Sequence, residues 1–153
     1  MIERRLLVAT GTTEYRHLPG SALSQVPSEI QRIVDVLGPL QYSRCLDDLP
    51  LNPSSMQLQD RLPRWLQQEV QPGDLIVFYY SGHGVRDGES FYLLTCNSQD
   101  SLLDSTAVSA EQLARWMTKQ CKAAQILVIL DTCYAGAGAA DFARIAGKVC
   151  TLM

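Results

Sequence analysis

The sequence predicts an α/β fold built around a mostly parallel sheet. Two short apolar runs, Leu75–Tyr80 and Ile126–Leu130, consist of β-branched, leucine and aromatic residues and end at polar, turn-forming residues. Runs of this kind are typical of strands buried on both faces, as the strands of parallel sheets are. Segments with apolar residues at helical spacing lie before and between them, and such alternation favours parallel strands joined by right-handed crossovers.

The first half of the chain predicts two strands and two helices in alternation. Apolar residues at helical spacing indicate the helices, and Gly38-Pro39 supplies the stop signal for the first of them. Pro63 lies inside the second, so we expect that helix to begin later or to kink. In order, the predicted elements are a strand at Leu6–Ala9, a helix at Ser28–Leu37, a strand at Tyr42–Leu46 and a helix at Met56–Val70.

The second half continues the alternation. After the strand Leu75–Tyr80 come the polar stretch Val85–Ser90 and a short predicted strand at Phe91–Thr95. The segment Ser109–Cys121 is a predicted helix, with Ser109 as the N-cap because a serine oxygen can accept a hydrogen bond from a free N–H group of the first turn. The strand Ile126–Leu130 is the last predicted element.

Length and composition indicate one folded domain that covers residues 1–153. With 46% hydrophobic and 19% charged residues the chain has the composition of a soluble globular protein, and a net charge of −3 gives no indication of nucleic-acid or membrane binding. The apolar runs are too short to span a bilayer, and the first ten residues do not resemble a signal peptide. The cysteines have no metal-ligand spacing, which favours reduced thiols and a cytoplasmic location; they are Cys45, Cys96, Cys121, Cys133 and Cys150.

A histidine and a cysteine follow the two buried strands. His83 lies between Gly82 and Gly84 just after the first, and Cys133 follows the second after Asp131 and Thr132. Open α/β sheets carry their reactive groups at the carboxyl edge of the strands, so both side chains are predicted to lie on one rim. An imidazole beside a thiol favours the nucleophilic thiolate. A cysteine at a strand end can equally be a small, inert core residue.

The stretches YSGHG and DTCYAG together resemble the catalytic pair of the caspase-like cysteine peptidases, and among them the bacterial metacaspase and paracaspase type more than animal caspases. The cysteine follows the histidine by 50 residues, the separation that caspases have. The resemblance covers roughly Leu6 to Gly136 and implies a Rossmann-like three-layer sandwich. It further implies a cysteine endopeptidase in which Cys133 is the nucleophile and His83 the acid–base partner. The oxyanion hole would be formed by the N–H groups of Gly84 and Cys133.

The resemblance also implies a specificity. Asp131 and Ser81, each two residues before a catalytic residue, are predicted near the mouth of the site, and Glu29 is the apparent match of a second acidic residue of the metacaspase-like pocket. Carboxylates there would bind Arg or Lys at P1 and repel Asp. Alternatively, Asp131 caps the turn before the cysteine, and Glu29 is a solvated helix residue.

Cofactors and partners follow from the same resemblance. Calcium activates some metacaspases, but the family's paired acidic residues before the helix at Ser109 are replaced here by Val108-Ser109-Ala110, so we predict no metal and no cofactor. The acidic residues available for a weak calcium site are Asp87, Glu89, Asp100, Asp104 and Asp141.

Only twenty residues follow Cys133, so the small-subunit portion of such peptidases is expected on a further segment or a partner chain. It would cover Ile126–Leu130, otherwise an exposed strand edge. The expected partners are this segment, a protein or peptide substrate and a sensor or regulatory protein, with neither nucleic acid nor membrane. The alternatives are an inactive caspase-like interaction scaffold, an Asp-specific caspase-type peptidase and another cysteine hydrolase on a doubly wound sheet.

Overall fold

A computed structural model of the protein describes residues 4–49 and 51–133, together with the backbone of residues 149–152. The chain alternates strands with helices up to β3 and then adds a set of short strands before the last helix. The elements are β1 (Arg5–Gly11), α1 (Val26–Leu37), β2 (Ser43–Arg44), α2 (Ser55–Gln68), β3 (Leu75–Ser81), β4 (Gly84–Asp87), β5 (Ser90–Leu94), α3 (Leu103–Thr106), β6 (Ala107–Ser109), α4 (Ala110–Arg115), β7 (Gln125–Asp131) and β8 (Val149–Leu152).

The main sheet has five strands in the order β2-β1-β3-β7-β8, and every neighbouring pair is parallel. Helix α1 packs on one face, where Val26 and Ile30 contact Val77 and its neighbours. Helices α2 and α4 pack on the other face against a larger core that contains Phe78 and Val128. The predicted α/β sandwich with three layers is therefore confirmed.

Strand β7 is not an edge strand. Residues Ile126–Ile129 of β7 pair in parallel with Val149–Leu152 of the same chain. The expectation that Ile126–Leu130 forms an exposed edge is wrong, because the terminal segment of this chain supplies the neighbouring strand. Because β8 covers this edge of β7, the edge does not require a partner segment. A small-subunit partner stays a prediction that rests on the resemblance alone.

A second, antiparallel sheet contains β4, β5 and β6 in that order. The polar stretch Val85–Ser90 thus contains most of β4, and the predicted strand at Phe91–Thr95 joins this small sheet rather than the main one. Phe91 and Leu93 point into the large core, while Tyr92 and Leu94 belong to a separate cluster with Tyr15. The small sheet begins directly after His83 and therefore borders the carboxyl edge of the main sheet.

The helices confirm most of the predicted bounds. Helix α2 begins at Ser55 and continues through Pro63, because a capping box at Ser54 and Gln57 secures its start and five of its side chains are buried. Helix α4 has Ser109 as its N-cap, as predicted, and continues as a π-helical turn to Gln120. None of the helices in the described residues is long and apolar enough to cross a membrane.

Candidate active site

The site lies where β3 and β7 end side by side. The two strands pair in register up to Ser81 and Asp131, and His83 and Cys133 each follow two residues later. The chain stays close beyond the strands, since a Cβ atom added to Gly84 would lie only 2.6 Å from the carbonyl oxygen of Cys133. The histidine and cysteine segments therefore lie next to each other at one edge of the sheet.

His83 is held by three hydrogen bonds. Its Nε2 lies 2.7 Å from the carbonyl oxygen of Ser21. Because a carbonyl can only accept, Nε2 carries a proton and Nδ1 is the ring nitrogen left for proton transfer. Its backbone N–H donates to the hydroxyl of Tyr15 at 2.7 Å, and its carbonyl accepts from the N–H of Leu94 at 2.9 Å.

Cys133 is a free and exposed thiol. Among the other cysteines whose side chains the structure describes, Cys45 is half-buried and Cys96 and Cys121 are buried. No hydrogen bond joins Cys133 to His83 within the described residues, although their segments are adjacent. Cys133 is thus accessible to an incoming carbonyl group without first having to be uncovered.

Gly84 supplies a backbone surface next to Cys133. The N–H of Leu94 donates to the carbonyl of His83. These two residues lie opposite each other, so they occupy a hydrogen-bonded position of the pairing between β4 and β5. Since bonded and non-bonded pairs alternate between antiparallel strands, the N–H of Gly84, opposite Leu93, is directed away from β5. The N–H of Gly84 therefore does not pair with β5.

The three predicted specificity residues lie together. Ser81 and Asp131 are register partners, and the Ser81 hydroxyl donates to Glu29 Oε2 at 2.5 Å. The Asp131 Oδ2 atom accepts from the Tyr79 hydroxyl at 3.1 Å. Ser81 is buried, with only 2% of its surface exposed, and its hydroxyl donates its proton to Glu29. Ser81 therefore orients the carboxylate of Glu29 from the buried side.

Glu29 and Asp131 line one cleft of about 410 Å³. Its floor is apolar, and Arg32 is the basic residue among its lining, which consists of Glu29, Arg32, Ile33, Tyr79, Ile129, Leu130 and Asp131. Burial raises the pKa of Tyr79, and the negative charge of Asp131 raises it further, so the Tyr79 hydroxyl stays protonated and donates to Asp131. Two carboxylates held by hydroxyl donors therefore face a single cleft.

The acidic residues considered for calcium do not form such a cluster. In the parts of the chain that the structure describes, no three His, Cys, Asp or Glu side chains come close enough to hold a metal ion. Asp104 accepts a hydrogen bond from the Tyr92 hydroxyl at 2.5 Å. Asp141 lies outside the described residues.

Sequence reasoning missed Ser21 and Tyr15, the two groups that hold His83. Both lie between β1 and α1, a segment in which the sequence predicts no helix or strand. The one available signal was Tyr15 itself, a large aromatic residue within an otherwise polar stretch. His17, in the same segment, is exposed and lies outside this hydrogen-bond network.

The comparisons with known proteins agree with this architecture. The sequence matches the caspase domain family over residues 4–148. The fold is similar to the crystal structure of protein GSU0716 from Geobacter sulfurreducens, with a TM-score of 0.63 and 13% sequence identity. That match covers 97% of this chain and 58% of the other, so the chain spans little more than half the length of that structure. No curated protein matches the sequence. The chain belongs to the caspase domain family.

Proposed function

We propose that the protein is a cysteine endopeptidase that uses Cys133 and His83 and cleaves after Arg or Lys. The observation that carries the proposal is the register of β3 and β7. Because Ser81 pairs with Asp131, an imidazole and an exposed thiol follow equivalent positions of two neighbouring parallel strands. Membership of the caspase domain family supports a cysteine peptidase in general terms. A protein or peptide is the proposed substrate, and the mechanism below needs no metal or cofactor.

The chemistry follows from the available atoms. The Cys133 thiol gives its proton to Nδ1 of His83, and the thiolate so formed bonds to the scissile carbonyl carbon, whose oxygen takes up the displaced electron pair and is stabilised by the N–H groups of Gly84 and Cys133. The C–N bond then breaks as the amine takes a proton from Nδ1 of His83. Water next gives a proton to Nδ1 of His83, and its oxygen bonds to the carbonyl carbon. The C–S bond breaks, which frees the Cys133 thiolate and releases the acid product. Throughout, Nε2 donates to the Ser21 carbonyl, which holds the ring with Nδ1 free.

The acidic cleft supports the P1 preference. Glu29 and Asp131 present carboxylates to one volume beside the catalytic edge. A guanidinium or ammonium group entering it would form charge-assisted hydrogen bonds, whereas an Asp side chain would meet like charge. Arg32 offsets part of the negative charge, which leaves the cleft suited to one cation rather than two.

Labelling with an activity-based probe tests the nucleophile. A probe with Arg at P1 is expected to label the wild type and the Cys45→Ala variant, in which another described thiol is removed. It should not label Cys133→Ala. Equal labelling of Cys133→Ala and wild type would exclude Cys133 as the nucleophile. Labelling by an Asp probe but not by an Arg probe would favour the Asp-specific alternative.

The specificity has its own test. Asp131→Asn keeps the size of the side chain but loses the charge, so we expect kcat/KM for Arg substrates to fall about tenfold to a hundredfold, the loss that follows from removing one charged partner. Asp35→Asn, at an exposed helix position, is the control and should leave kcat/KM unchanged. An unchanged value for Asp131→Asn would show that the cleft does not receive P1.

One observation favours an interaction scaffold as the second candidate. No hydrogen bond connects His83 with Cys133 in the described part of the chain, and a non-catalytic protein would have no need of one. A scaffold would bind partner proteins without labelling by any electrophilic peptide probe. A cytoplasmic location and control by a small-subunit segment or a sensor protein belong to the peptidase proposal.

A further inference from the structure

The Tyr15 side chain contacts both the backbone and the ring of His83. Its hydroxyl accepts from the His83 N–H at 2.7 Å and donates to the Thr12 carbonyl at 3.2 Å. The two rings lie with their centroids 4.9 Å apart and their planes inclined by 49°. Tyr15 is 8% exposed, and burial raises its pKa to about 12, so its hydroxyl keeps its proton near neutral pH.

Gly82 makes this contact possible. A Cβ atom at Gly82 would lie 2.9 Å from the Tyr15 hydroxyl oxygen, which leaves no comfortable room for a side chain. His83 lies between Gly82 and Gly84, and glycine has more backbone freedom than any other residue. The peptide that carries the catalytic histidine needs an external contact to fix it, and Tyr15 provides that contact.

Asn52 fixes the loop that carries Tyr15. Its Oδ1 accepts from the N–H of Thr13 at 2.6 Å, from the N–H of Glu14 at 3.0 Å and from the Thr13 hydroxyl at 3.0 Å. Its own N–H donates to the carbonyl of Gly11 at 3.0 Å. Asn52 has a φ of 64°, a left-handed conformation that Asn tolerates better than most residues. One side chain from the β2–α2 connection thus organises the segment that ends at Tyr15.

We propose that Tyr15 is a positioning residue for His83 and that Asn52 acts through Tyr15, so that the β2–α2 connection controls the orientation of the catalytic imidazole. This inference rests on the proposed peptidase function. Tyr15 does not reach the substrate in this role. It fixes the His83 peptide so that Nε2 meets the Ser21 carbonyl and Nδ1 stays free for proton transfer.

Tyr15→Phe is the first test, with Tyr92→Phe as its matched control. Both tyrosines are 8% exposed and belong to the same apolar cluster, but the Tyr92 hydroxyl bonds to Asp104 and not to His83. We expect Tyr15→Phe to lower kcat roughly tenfold to a hundredfold, as small misplacements of catalytic groups do, with KM within about twofold of wild type. Tyr92→Phe should keep the wild-type kcat. Equal kcat values for the two variants would overturn the proposal.

The histidine can be observed without substrate. The chain has two histidines, so ¹⁵N spectra of the imidazoles report His83 directly, with the exposed His17 as internal reference. We expect the Nε2–H form of His83 in wild type and in Tyr92→Phe, and a mixture of tautomers in Tyr15→Phe. A His83 spectrum unchanged by Tyr15→Phe overturns the inference. A changed spectrum in a protein that cleaves nothing supports the positioning role while the peptidase proposal fails.

A pair of substitutions tests Asn52. Asn52→Gly keeps the left-handed backbone but removes the acceptor, and Asn52→Asp restores an acceptor oxygen at the same position. We expect Asn52→Gly to reproduce the loss of kcat and the mixed His83 tautomers of Tyr15→Phe, and Asn52→Asp to restore both to near wild-type values. If Asn52→Gly retains the wild-type kcat and His83 spectrum, Asn52 has no part in positioning.

Discussion

A missing side chain allows the backbones of Gly84 and Cys133 to approach each other. Gly84 follows His83 and faces the carbonyl of Cys133 on one side and the ring of Phe91 on the other. An added Cβ atom would lie 2.6 Å from both the Cys133 carbonyl oxygen and the Phe91 Cζ atom, closer than such atoms pack. The glycine thus serves the close approach of two backbones.

Gly84→Ala is therefore expected to displace Cys133 and to unfold more easily. Because one of the two clashing atoms belongs to the backbone, the free energy of unfolding should fall by about 1–3 kcal/mol, the usual range for overpacking. Probe labelling of Cys133 should be lost. Gly38→Ala is the control, since Gly38 has helical angles and no neighbour within 4 Å of an added Cβ. Wild-type labelling and stability of Gly84→Ala would contradict the contact.

The sequence predicted that His83 and Cys133 follow neighbouring strands at one edge of the sheet, but not the groups that hold His83. His83 and Cys133 could be predicted because each follows an apolar run by two residues, a local pattern with a clear geometric meaning. Tyr15 and Ser21 act on His83 from 68 and 62 residues away, through single hydrogen bonds. Asn52 does not contact His83 and instead bonds to Thr13 and Glu14, in the loop that carries Tyr15. Such contacts have no periodicity, and only the folded chain reveals them.

Helix α2 illustrates how local signals act at the scale of one element. Ser54 Oγ accepts from the N–H of Gln57 at 3.1 Å, and the Gln57 side chain accepts from the N–H of Ser54 at 2.8 Å. This reciprocal cap fixes the helix start ahead of Pro63, so the helix is already under way when it meets the proline. The expected late start is therefore wrong, because the cap fixes the first turn at Ser55, eight residues before Pro63.

Ser54→Ala is expected to lower the free energy of unfolding by about 1 kcal/mol, because an N–H of the first turn loses its acceptor. Ser28→Ala is the matched control, since the Ser28 hydroxyl donates to the Gln25 carbonyl at an exposed position and caps no free N–H. Denaturant unfolding of both variants measures the difference. Equal stability of the two would show that the cap adds nothing.

Two of the strands that were not predicted, β4 and β8, are short. Strand β4 has four residues and is largely polar, and β8 has only the four residues Val149–Leu152, so neither has the long alternation or the long apolar run of a recognisable strand. Both are strands because of what they pair with, β5 and β7 respectively. Pairing with a neighbouring strand decides such strands, whereas buried strands such as β3 are determined by their own composition.

At the scale of the whole molecule, the edge of the sheet opposite the site is tied together around one buried residue, Asp74, by both its carboxylate and its backbone carbonyl. Asp74, immediately before β3, is fully buried and accepts from Arg4 Nε at 2.9 Å and from the N–H of Gln71 at 2.8 Å. The N–H of Leu75 donates to the Arg4 carbonyl, and that of Ala124 to the Asp74 carbonyl. The starts of β1, β3 and β7 are thus joined at one point, which helps to preserve the register that brings His83 and Cys133 together.

This arrangement predicts a pH-dependent contribution to stability. Burial alone would raise the pKa of Asp74, but the hydrogen bonds from Arg4 and Gln71 outweigh it and lower the pKa below its ordinary value of 3.8. A lowered pKa means that the folded state binds the proton less readily than the unfolded state. The stabilisation is therefore complete above about pH 4 and is lost as the pH falls through the lowered pKa.

Asp74→Asn separates this contribution from the rest of the acid response. At pH 7 the variant should be less stable than wild type by about 2 kcal/mol, the typical value of hydrogen bonds to a charged group. The difference should shrink below pH 4, because wild-type Asp74 then becomes protonated as well. Asp35→Asn, at an exposed position of α1, should differ little from wild type throughout. Urea unfolding between pH 7 and pH 2 measures all three proteins. A constant difference between Asp74→Asn and wild type would mean that the charge of Asp74, through Arg4 and Gln71, does not contribute to stability.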